Sequence, residues 1–279
     1  MDRSSTFKFS TVIAIGPMKS GTTWVHDYLS WRGDVILPSG VKETFFFDRN
    51  FWKGVAWYDS HYIFRRDALR VEVAPSYFHH PEAPVRMYSA FGPVPVIATL
   101  RHPVKRAWSH YLHLRRYGYT SETLEVAIRK FPQILEASRY NICLARWLAT
   151  MGEDNVNVLW QEDMLEDIEE YTAKLCKLIK IPYIPLPCQL KERRNEGAIA
   201  PVPALASLGR KLSYALRDVR MYEIINIAKL LGLKDIFFGK PGDGVLPRMN
   251  PEEYGLLNDA LKEDYMRLPR KFQHSSIVM

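Results

Sequence analysis

A glycine-bearing loop at residues 16–23, Gly-Pro-Met-Lys-Ser-Gly-Thr-Thr, constrains this chain more than any other stretch. It follows a β-branched run at 11–15 that predicts a short buried strand, and it precedes apolar residues that recur at helical spacing. A loop between a strand and a helix N-terminus offers unpaired backbone N–H groups and the positive end of the helix dipole. Lys19 adds a mobile cation, and further donors are the hydroxyls of Ser20, Thr22 and Thr23. The loop is typical of a phosphate-binding site.

The position of the lysine in this loop separates two kinds of phosphate site. The nucleoside-triphosphate loop reads G-x-x-x-x-G-K-[ST], with its lysine directly after the second glycine. Gly16 and Gly21 have that separation, but Thr22 stands at the lysine position and the lysine lies inside the loop, as Lys19. An ATPase or kinase also needs a metal ion to neutralise the γ-phosphate. The loop therefore favours a donor with one phosphate at this point, with a kinase or NTPase as the alternative.

A second basic group is predicted at the same edge of the sheet. Residues 95–100 read as a buried strand, so Arg101 lies at its carboxyl end, where open α/β sheets bind ligands. Pro103 suits the first position of the following helix, which carries Ser109 on its polar side. An arginine fork and a hydroxyl in these positions predict a group that binds a second phosphate.

The order of the elements predicts the fold class. Strand and helix patterns alternate from the start of the chain to about residue 180. This alternation predicts a three-layer α/β fold with a central parallel sheet flanked by helices. The predicted strands are 11–15, 69–73, 95–100 and 156–160, with a short strand or extended run at 35–38. The predicted helices include 121–130, 138–150 and 251–268, and one more after residue 160 that directs inward Ile168, Tyr171, Leu175, Leu178 and Ile179. We expect a single domain over 1–279, with a core at about 8–180 and a C-terminal helical or lid region at about 190–279. Within that region, the basic segment 205–233 reads as a solvated helical face, with a lid or a surface-docking helix as the alternative.

Composition argues against several classes of function. The formal net charge of +7 suits a polyanionic ligand, but the sequence contains no helix-turn-helix, zinc-finger or RNA-binding signature. Three cysteines without CxxC spacing predict neither a disulfide framework nor a zinc site. The apolar stretches are too short to cross a bilayer, and the N-terminus lacks the apolar core of a signal peptide. We therefore expect a cytoplasmic protein without a nucleic-acid partner, a transmembrane segment or a metal.

These motifs resemble those of sulfotransferases that use 3′-phosphoadenosine 5′-phosphosulfate (PAPS). The run 19–24, Lys-Ser-Gly-Thr-Thr-Trp, is similar to the 5′-phosphosulfate loop of that family. Arg101 and Ser109 match its 3′-phosphate segment, although His102 stands where asparagine is common. The resemblance implies a P-loop-like core and PAPS as the sulfuryl donor, without a metal. It assigns to the 5′-phosphate side Lys19, Ser20, Gly21, Thr22 and Thr23.

A third motif, Lys-Glu-Thr-Phe-Phe-Phe at 42–47, resembles the Lys-Glu-x-x-Phe-Phe signature of the heparan-sulfate branch of the family. In that branch a glutamate takes the proton of the acceptor. The resemblance therefore implies that Glu43 is the general base and Lys42 a charge-stabilising partner. Cytosolic sulfotransferases of small molecules use a histidine base, which keeps His79 and His80 as alternatives.

Weaker resemblances extend the implied nucleotide site. The pattern that includes Tyr140 resembles a helix of the family, in which this tyrosine would contact the nucleotide, and core packing is the alternative role. A glycine-lysine loop at 239–244 resembles the segment that closes over the 3′-phosphate and the adenine. That likeness assigns Lys240 and Gly242 to the same site.

The resemblance implies transfer of the sulfuryl group to an acceptor hydroxyl or amine, with 3′-phosphoadenosine 5′-phosphate (PAP) as the product. The acceptor is expected to be a small molecule, a lipid or a glycan. Two other classes stay open: a P-loop-type kinase or NTPase, and a non-catalytic module that binds a nucleotide or a glycan.

Overall fold

A computed structural model of the chain describes residues 10–63, 65, 68–191 and 247–279. Its contacts divide the chain into two compact units. The first lies within Met1–Arg101 and Ile142–Lys191, and the second within His102–Asn141 and Glu192–Met279. The single domain over 1–279 stays a prediction.

Two predicted segments lie outside the described residues: the basic segment 205–233 and the loop 239–244, which contains Lys240 and Gly242. Within the described part of the chain, no helix has both the length and the apolar character needed to cross a membrane. In the same residues, no group of three or more His, Cys, Asp and Glu side chains is arranged to hold a metal ion.

The first unit is built on a parallel sheet of four strands. The strands are β1 (Thr11–Ala14), β2 (Arg70–Val73), β3 (Val96–Leu100) and β4 (Val156–Trp160). Their order across the sheet is β2-β1-β3-β4, and every neighbouring pair is parallel. The parallel sheet predicted from the sequence is confirmed, and each strand lies within one residue of its predicted bounds.

The described α-helices, in chain order, are α1 (Thr22–Arg32), α2 (Val55–Asp59), α3 (Ala83–Phe91), α4 (Pro103–Arg116), α5 (Leu124–Lys130), α6 (Gln133–Glu136), α7 (Tyr140–Met151), α8 (Gln161–Glu166), α9 (Ile168–Leu178), α10 (Cys188–Lys191) and α11 (Pro251–Met266). The helix predicted after β4, with Ile168, Tyr171, Leu175, Leu178 and Ile179 directed inward, is confirmed as α9, and the short helix α8 precedes it. Asp167 separates them: its backbone is extended, and its carboxylate accepts hydrogen bonds from the N–H groups of Glu169 and Glu170. An aspartate in this role starts a new helix.

One face of the sheet packs against α1 and α9. Side chains alternate between the two faces of a strand, so every second strand residue enters this core. The cluster contains Val12, Ala14, Val71, Val73, Ile97 and Leu159 from the strands, Val25, Tyr28 and Leu29 from α1, and Tyr171, Leu175 and Cys176 from α9. Burial of each large apolar side chain contributes about 1.5–3 kcal/mol, so this core holds α1, and the loop before it, firmly against the sheet.

Gly16, the first residue of the loop after β1, lies almost in contact with β3. A Cβ atom added at Gly16 would lie 1.9 Å from Thr99 Oγ1 and 2.4 Å from the Thr99 carbonyl oxygen. Both distances are far inside van der Waals contact, and Thr99 is completely buried. Only glycine therefore allows the loop to leave β1 this close to β3.

We expect Gly16→Ala to lower the stability of the protein by at least about 1–3 kcal/mol, the usual cost of overpacking a buried site. Thermal or urea unfolding of the purified variant measures this loss. Gly255→Ala in α11 is the matched control, because a Cβ there meets nothing within 4 Å. In a helix that change should be neutral or stabilise by about 0.5–1 kcal/mol. Equal stability of Gly16→Ala and the wild type would contradict the close approach of the loop to β3.

The second unit is helical in its described part. Pro103 occupies the first turn of α4, as predicted, and the apolar face of α4 is buried. The core contains Val104, Ala107, Trp108, Tyr111 and Leu114 of α4, Leu124 and Ala127 of α5, Ile134 of α6, and Leu257 and Leu261 of α11. The amphipathic pattern of this helix is therefore confirmed.

Candidate active site

The strand order changes direction between β1 and β3. β1 continues to β2 on one side of the sheet, whereas β3, its neighbour on the other side, continues to β4. The connections after two adjacent strands thus run in opposite directions, which is the arrangement where open α/β sheets bind ligands. The 16–23 loop follows β1, and Arg101 follows β3.

The loop after β1 has the backbone shape of an anion site. Lys19 has φ 77° and Gly21 has φ 89°, so two left-handed residues flank Ser20. Gly21 is followed by Thr22, the first residue of the right-handed helix α1, and a left-handed residue beside a right-handed one turns successive N–H groups to one side, as in a concave anion-binding nest. A left-handed lysine costs about 1–2 kcal/mol relative to ordinary backbone. Strain of this kind is concentrated at functional sites.

The hydroxyl of Ser20 is used inside the protein. It donates to the Pro17 carbonyl oxygen at 2.5 Å and lies 3.0 Å from the buried Thr99 Oγ1. These contacts help to fix the shape of the loop. That the Ser20 hydroxyl donates to a phosphate stays a prediction, and the backbone N–H of Ser20 is a further donor at this position.

The first turn of α1 is left open for an external anion. Its N-cap is Gly21, which has no side chain to accept hydrogen bonds, and the turn contains no acidic residue. By contrast, α9 is capped by Asp167, and α11 has a capping box formed by Asn250 and Glu253. The N–H groups that begin α1 and the positive end of its dipole thus fit a phosphate.

Arg101 contacts this loop directly. Its Nη1 atom donates to the Lys19 carbonyl oxygen at 3.4 Å, and the side chain is half-buried. The structure therefore brings together two stretches that lie about eighty residues apart in the sequence.

Lys42 also reaches the loop. Its Nζ atom donates to Thr23 Oγ1 at 3.1 Å, so the Lys-Glu motif lies beside the beginning of α1. Burial lowers the pKa of Lys42, and the negative charges of Glu43 and Asp27 act in the opposite direction. Glu43 is half-buried and lies near enough to Lys42 to stabilise its charge. An ammonium group and a carboxylate thus stand next to the anion site.

Glu72, a residue outside the sequence motifs, accepts hydrogen bonds that fix the position of Thr44, directly after Glu43. Glu72 of β2 is completely buried, and its Oε1 atom accepts hydrogen bonds from Thr44 N at 2.8 Å and Thr44 Oγ1 at 2.7 Å. The available signal is that the short strand Arg-Val-Glu-Val alternates charged residues with valines. A charge within a buried strand needs hydrogen-bonding partners, but the sequence does not identify them.

The alternative bases lie after β2. Burial lowers the pKa of His80, and the nearby charge of Asp48 acts in the opposite direction. The carbonyl oxygen of His79 accepts a hydrogen bond from Arg146. Neither observation excludes His79 or His80 as the general base. The hydrogen bond to the 16–23 loop, however, comes from Lys42, which precedes Glu43.

The remaining predicted residues belong to the second unit. Ser109 is half-buried on α4. Tyr140, at the start of α7, is completely buried. Its burial favours the packing role over contact with a nucleotide.

Comparison with known proteins identifies the family. The sulfotransferase domain family matches residues 10–193. The bifunctional heparan sulfate N-deacetylase/N-sulfotransferase 1 of Caenorhabditis elegans is 24% identical over 203 residues, which cover 67% of this chain and 24% of that protein. The bifunctional heparan sulfate N-deacetylase/N-sulfotransferase 2 of Homo sapiens is 30% identical over 158 residues, which cover 49% of this chain and 18% of that protein. The chain therefore spans about a quarter or less of the length of these relatives.

A solved structure supports the same assignment at the level of the fold. The sulfotransferase of Alicyclobacillus acidocaldarius matches with a TM-score of 0.55 and 20% identity, over 65% of this chain and 87% of that chain. The predicted fold class, a parallel sheet flanked by helices, is thus confirmed. Because the family match covers more than half of the chain, this protein belongs to the sulfotransferase domain family.

Proposed function

We propose that this chain moves the sulfuryl group of PAPS to an acceptor hydroxyl or amine, with Glu43 as the general base. The observation that carries the proposal is the meeting of three basic groups at one anion site. Lys19 lies in the loop, Arg101 donates to its carbonyl oxygen, and Lys42 donates to Thr23. All of these groups belong to the first unit.

The 16–23 loop suits the phosphate that carries the sulfuryl group. When bound, PAPS supplies a sulfuryl group on an activated phosphate leaving group. The backbone N–H groups from Ser20 to Thr23 hold this phosphate, and Lys19 stabilises the negative charge that develops on the bridging oxygen. Such preorganised donors stabilise a transition state without reorganising.

Glu43 is proposed to take the proton of the acceptor. A general base must stand within hydrogen-bond reach of that proton, and Glu43 directly follows the lysine that contacts the loop. Lys42 shares the charge that accumulates on the transferring group. In-line attack places the acceptor on the side of the sulfur opposite the phosphate, which requires a base outside the phosphate loop.

Arg101 is proposed to bind the 3′-phosphate, the role that the resemblance assigns to it together with Ser109. We expect Arg101→Ala to weaken PAP binding by about 10- to 100-fold, because a hydrogen bond to a charged group contributes about 1.5–3 kcal/mol. Calorimetric titration with PAP measures the change. Arg129→Ala is the matched control, since it removes the same charge from an exposed position on α5. Equal affinities of Arg101→Ala and Arg129→Ala would remove Arg101 from the site.

The kinase alternative is less well supported. In a nucleoside-triphosphate loop, the residue after the second glycine is the lysine that reaches the β- and γ-phosphates. Here that residue is Thr22, which is buried at the first position of α1. The cation at this site is Lys19, three residues earlier. ATP turnover that depends on Mg²⁺ would restore the alternative.

The acceptor is proposed as a class: a small molecule, a lipid or a glycan that presents a hydroxyl or an amine. Two relatives are named for N-sulfation of heparan sulfate. N-desulfated heparan oligosaccharides therefore test a glycan amine, and 2-naphthol tests a small alcohol. Incubation with PAPS labelled in its sulfate should transfer label to one of these probes and release PAP. Binding of PAP without transfer to any acceptor would favour the non-catalytic module.

A further inference from the structure

The carboxylate of Glu72 is buried, and its burial costs free energy although Glu72 has no part in the proposed reaction described above. It is a carboxylate with no exposed surface, in the middle of β2, opposite Ile13 of β1. Its neighbours Val71 and Val73 enter the apolar core on one face of the sheet, so Glu72 points to the other face. A buried carboxylate is retained only when hydrogen bonds compensate its lost hydration.

Four donors satisfy this carboxylate. The backbone N–H and the hydroxyl of Thr44 donate to Oε1. The hydroxyl of Tyr77 lies 3.2 Å from both oxygens, and the hydroxyl of Tyr58 is also hydrogen-bonded to the group. Burial raises the pKa of Glu72, and these donors act in the opposite direction. Half of the donors come from one residue, Thr44, which directly follows Glu43.

Hydrogen bonds fix the backbone of the residues that follow Glu43. Besides the two bonds to Glu72, the Thr44 carbonyl oxygen accepts a hydrogen bond from Asn50 Nδ2 at 3.0 Å. The N–H of Phe46 donates to the Tyr77 hydroxyl at 2.9 Å. Between them, Phe45 is left-handed, with φ 52°, which an aromatic residue adopts only when its surroundings fix it.

We propose that Glu72 is a positioning residue for Glu43: through Thr44 it fixes the backbone that carries the base. This inference rests on the proposed function, in which Glu43 takes the proton of the acceptor. Glu72 is buried beneath the motif, so it acts through Thr44 and does not touch the substrate. Misplacement of a catalytic group by about 1 Å can lower the rate about 100-fold. A rigid backbone at Thr44 would therefore support catalysis by Glu43.

Thr44→Val is the most informative variant, because it removes the hydroxyl and keeps the shape and the backbone N–H. We expect a fall in kcat of about tenfold, with PAP affinity within about twofold of the wild type. Thr44→Ser keeps the hydroxyl and should restore most of the turnover. A loss of PAP affinity as large as the loss of kcat would overturn the proposal, because a general loss of structure affects both.

A double-mutant cycle tests whether the effect passes through Glu43. If Thr44 only positions the base, Thr44→Val should cost almost nothing further once Glu43→Gln has removed the base. An undiminished tenfold loss in that background would overturn the positioning role and leave the proposed function intact. If Glu43→Gln alone keeps full turnover, the base assignment fails, and the positioning role fails with it.

Hydrogen exchange gives a readout that does not depend on turnover. Glu72→Leu removes the acceptor, so the amides of Thr44 and Phe46 should exchange at least about tenfold faster, while those of β3 remain protected. Glu72→Gln keeps an acceptor oxygen and should preserve the protection of Thr44. If Glu72→Leu does not fold, Thr44→Val tests the amide of Phe46, which loses Thr44 Oγ1 as an acceptor and should exchange faster. Unchanged exchange of the Thr44 and Phe46 amides in folded Glu72→Leu, or of the Phe46 amide in Thr44→Val, would overturn the proposed anchor.

Discussion

Glu43→Gln should lower kcat by about 10²–10⁴-fold, the usual contribution of a general base, while PAP binding changes little. Glutamine keeps the size and one acceptor oxygen of glutamate but cannot take a proton at neutral pH. The proposed donor site consists of other groups, namely the 16–23 loop and Arg101, so we expect its affinity for PAP to persist. Steady-state kinetics with an acceptor that the wild type sulfates, and calorimetry with PAP, together measure the two effects.

Glu166→Gln is the control for this experiment. It makes the same change at an exposed position at the end of α8 and should keep wild-type kinetics. Wild-type turnover in Glu43→Gln would show that the base is another residue. His80 would then be the next candidate, and His80→Asn the next variant.

Lys19→Gly should abolish most of the activity without lowering the stability of the protein. Loss of the ammonium group removes a donor to the developing charge, which typically costs about 10²–10³-fold in kcat. Glycine, however, adopts φ 77° without the penalty that lysine carries there. The relief of strain offsets the greater entropy of glycine in the unfolded chain, so we expect an equal or slightly higher melting temperature.

Lys19→Ala separates the effect of losing the ammonium group from the effect of relieving the left-handed backbone strain. It removes the same charge but keeps the left-handed strain, so it should be less stable than Lys19→Gly by about 1 kcal/mol and equally inactive. Thermal unfolding and PAPS turnover of both variants provide the measurement. A Lys19→Gly protein that keeps turnover within about tenfold of the wild type would contradict the role of this lysine.

Local patterns were sufficient to predict the elements that carry the site. The four strands follow from short apolar runs, and α4 follows from Pro103 and the spacing of its apolar residues. The anion loop follows from Gly16, Lys19 and Gly21, because strand, glycine loop and helix are adjacent in the chain. Arg101 follows from the rule that ligands bind at the carboxyl ends of strands.

The features that the sequence did not predict depend mainly on contacts between residues that are far apart in the chain. No local pattern states that Lys42 reaches Thr23, or that the Ser20 hydroxyl turns inward to Pro17 and Thr99. The helix α8 was not predicted, because its six residues, Gln-Glu-Asp-Met-Leu-Glu, are too few to show a repeated apolar spacing. Glu72 was missed because its partner Thr44 lies 28 residues away, and only the folded chain joins them.

Calorimetric titration with PAP, run beside ADP and without Mg²⁺, tests the central claim most directly. ADP lacks the 3′-phosphate, so PAP should bind more tightly by about 10- to 100-fold, the worth of one or two charge-assisted hydrogen bonds. This preference should disappear in Arg101→Ala and should not require the metal. Equal or tighter binding of ADP, or a strict requirement for Mg²⁺, would contradict the sulfotransferase site and favour a kinase.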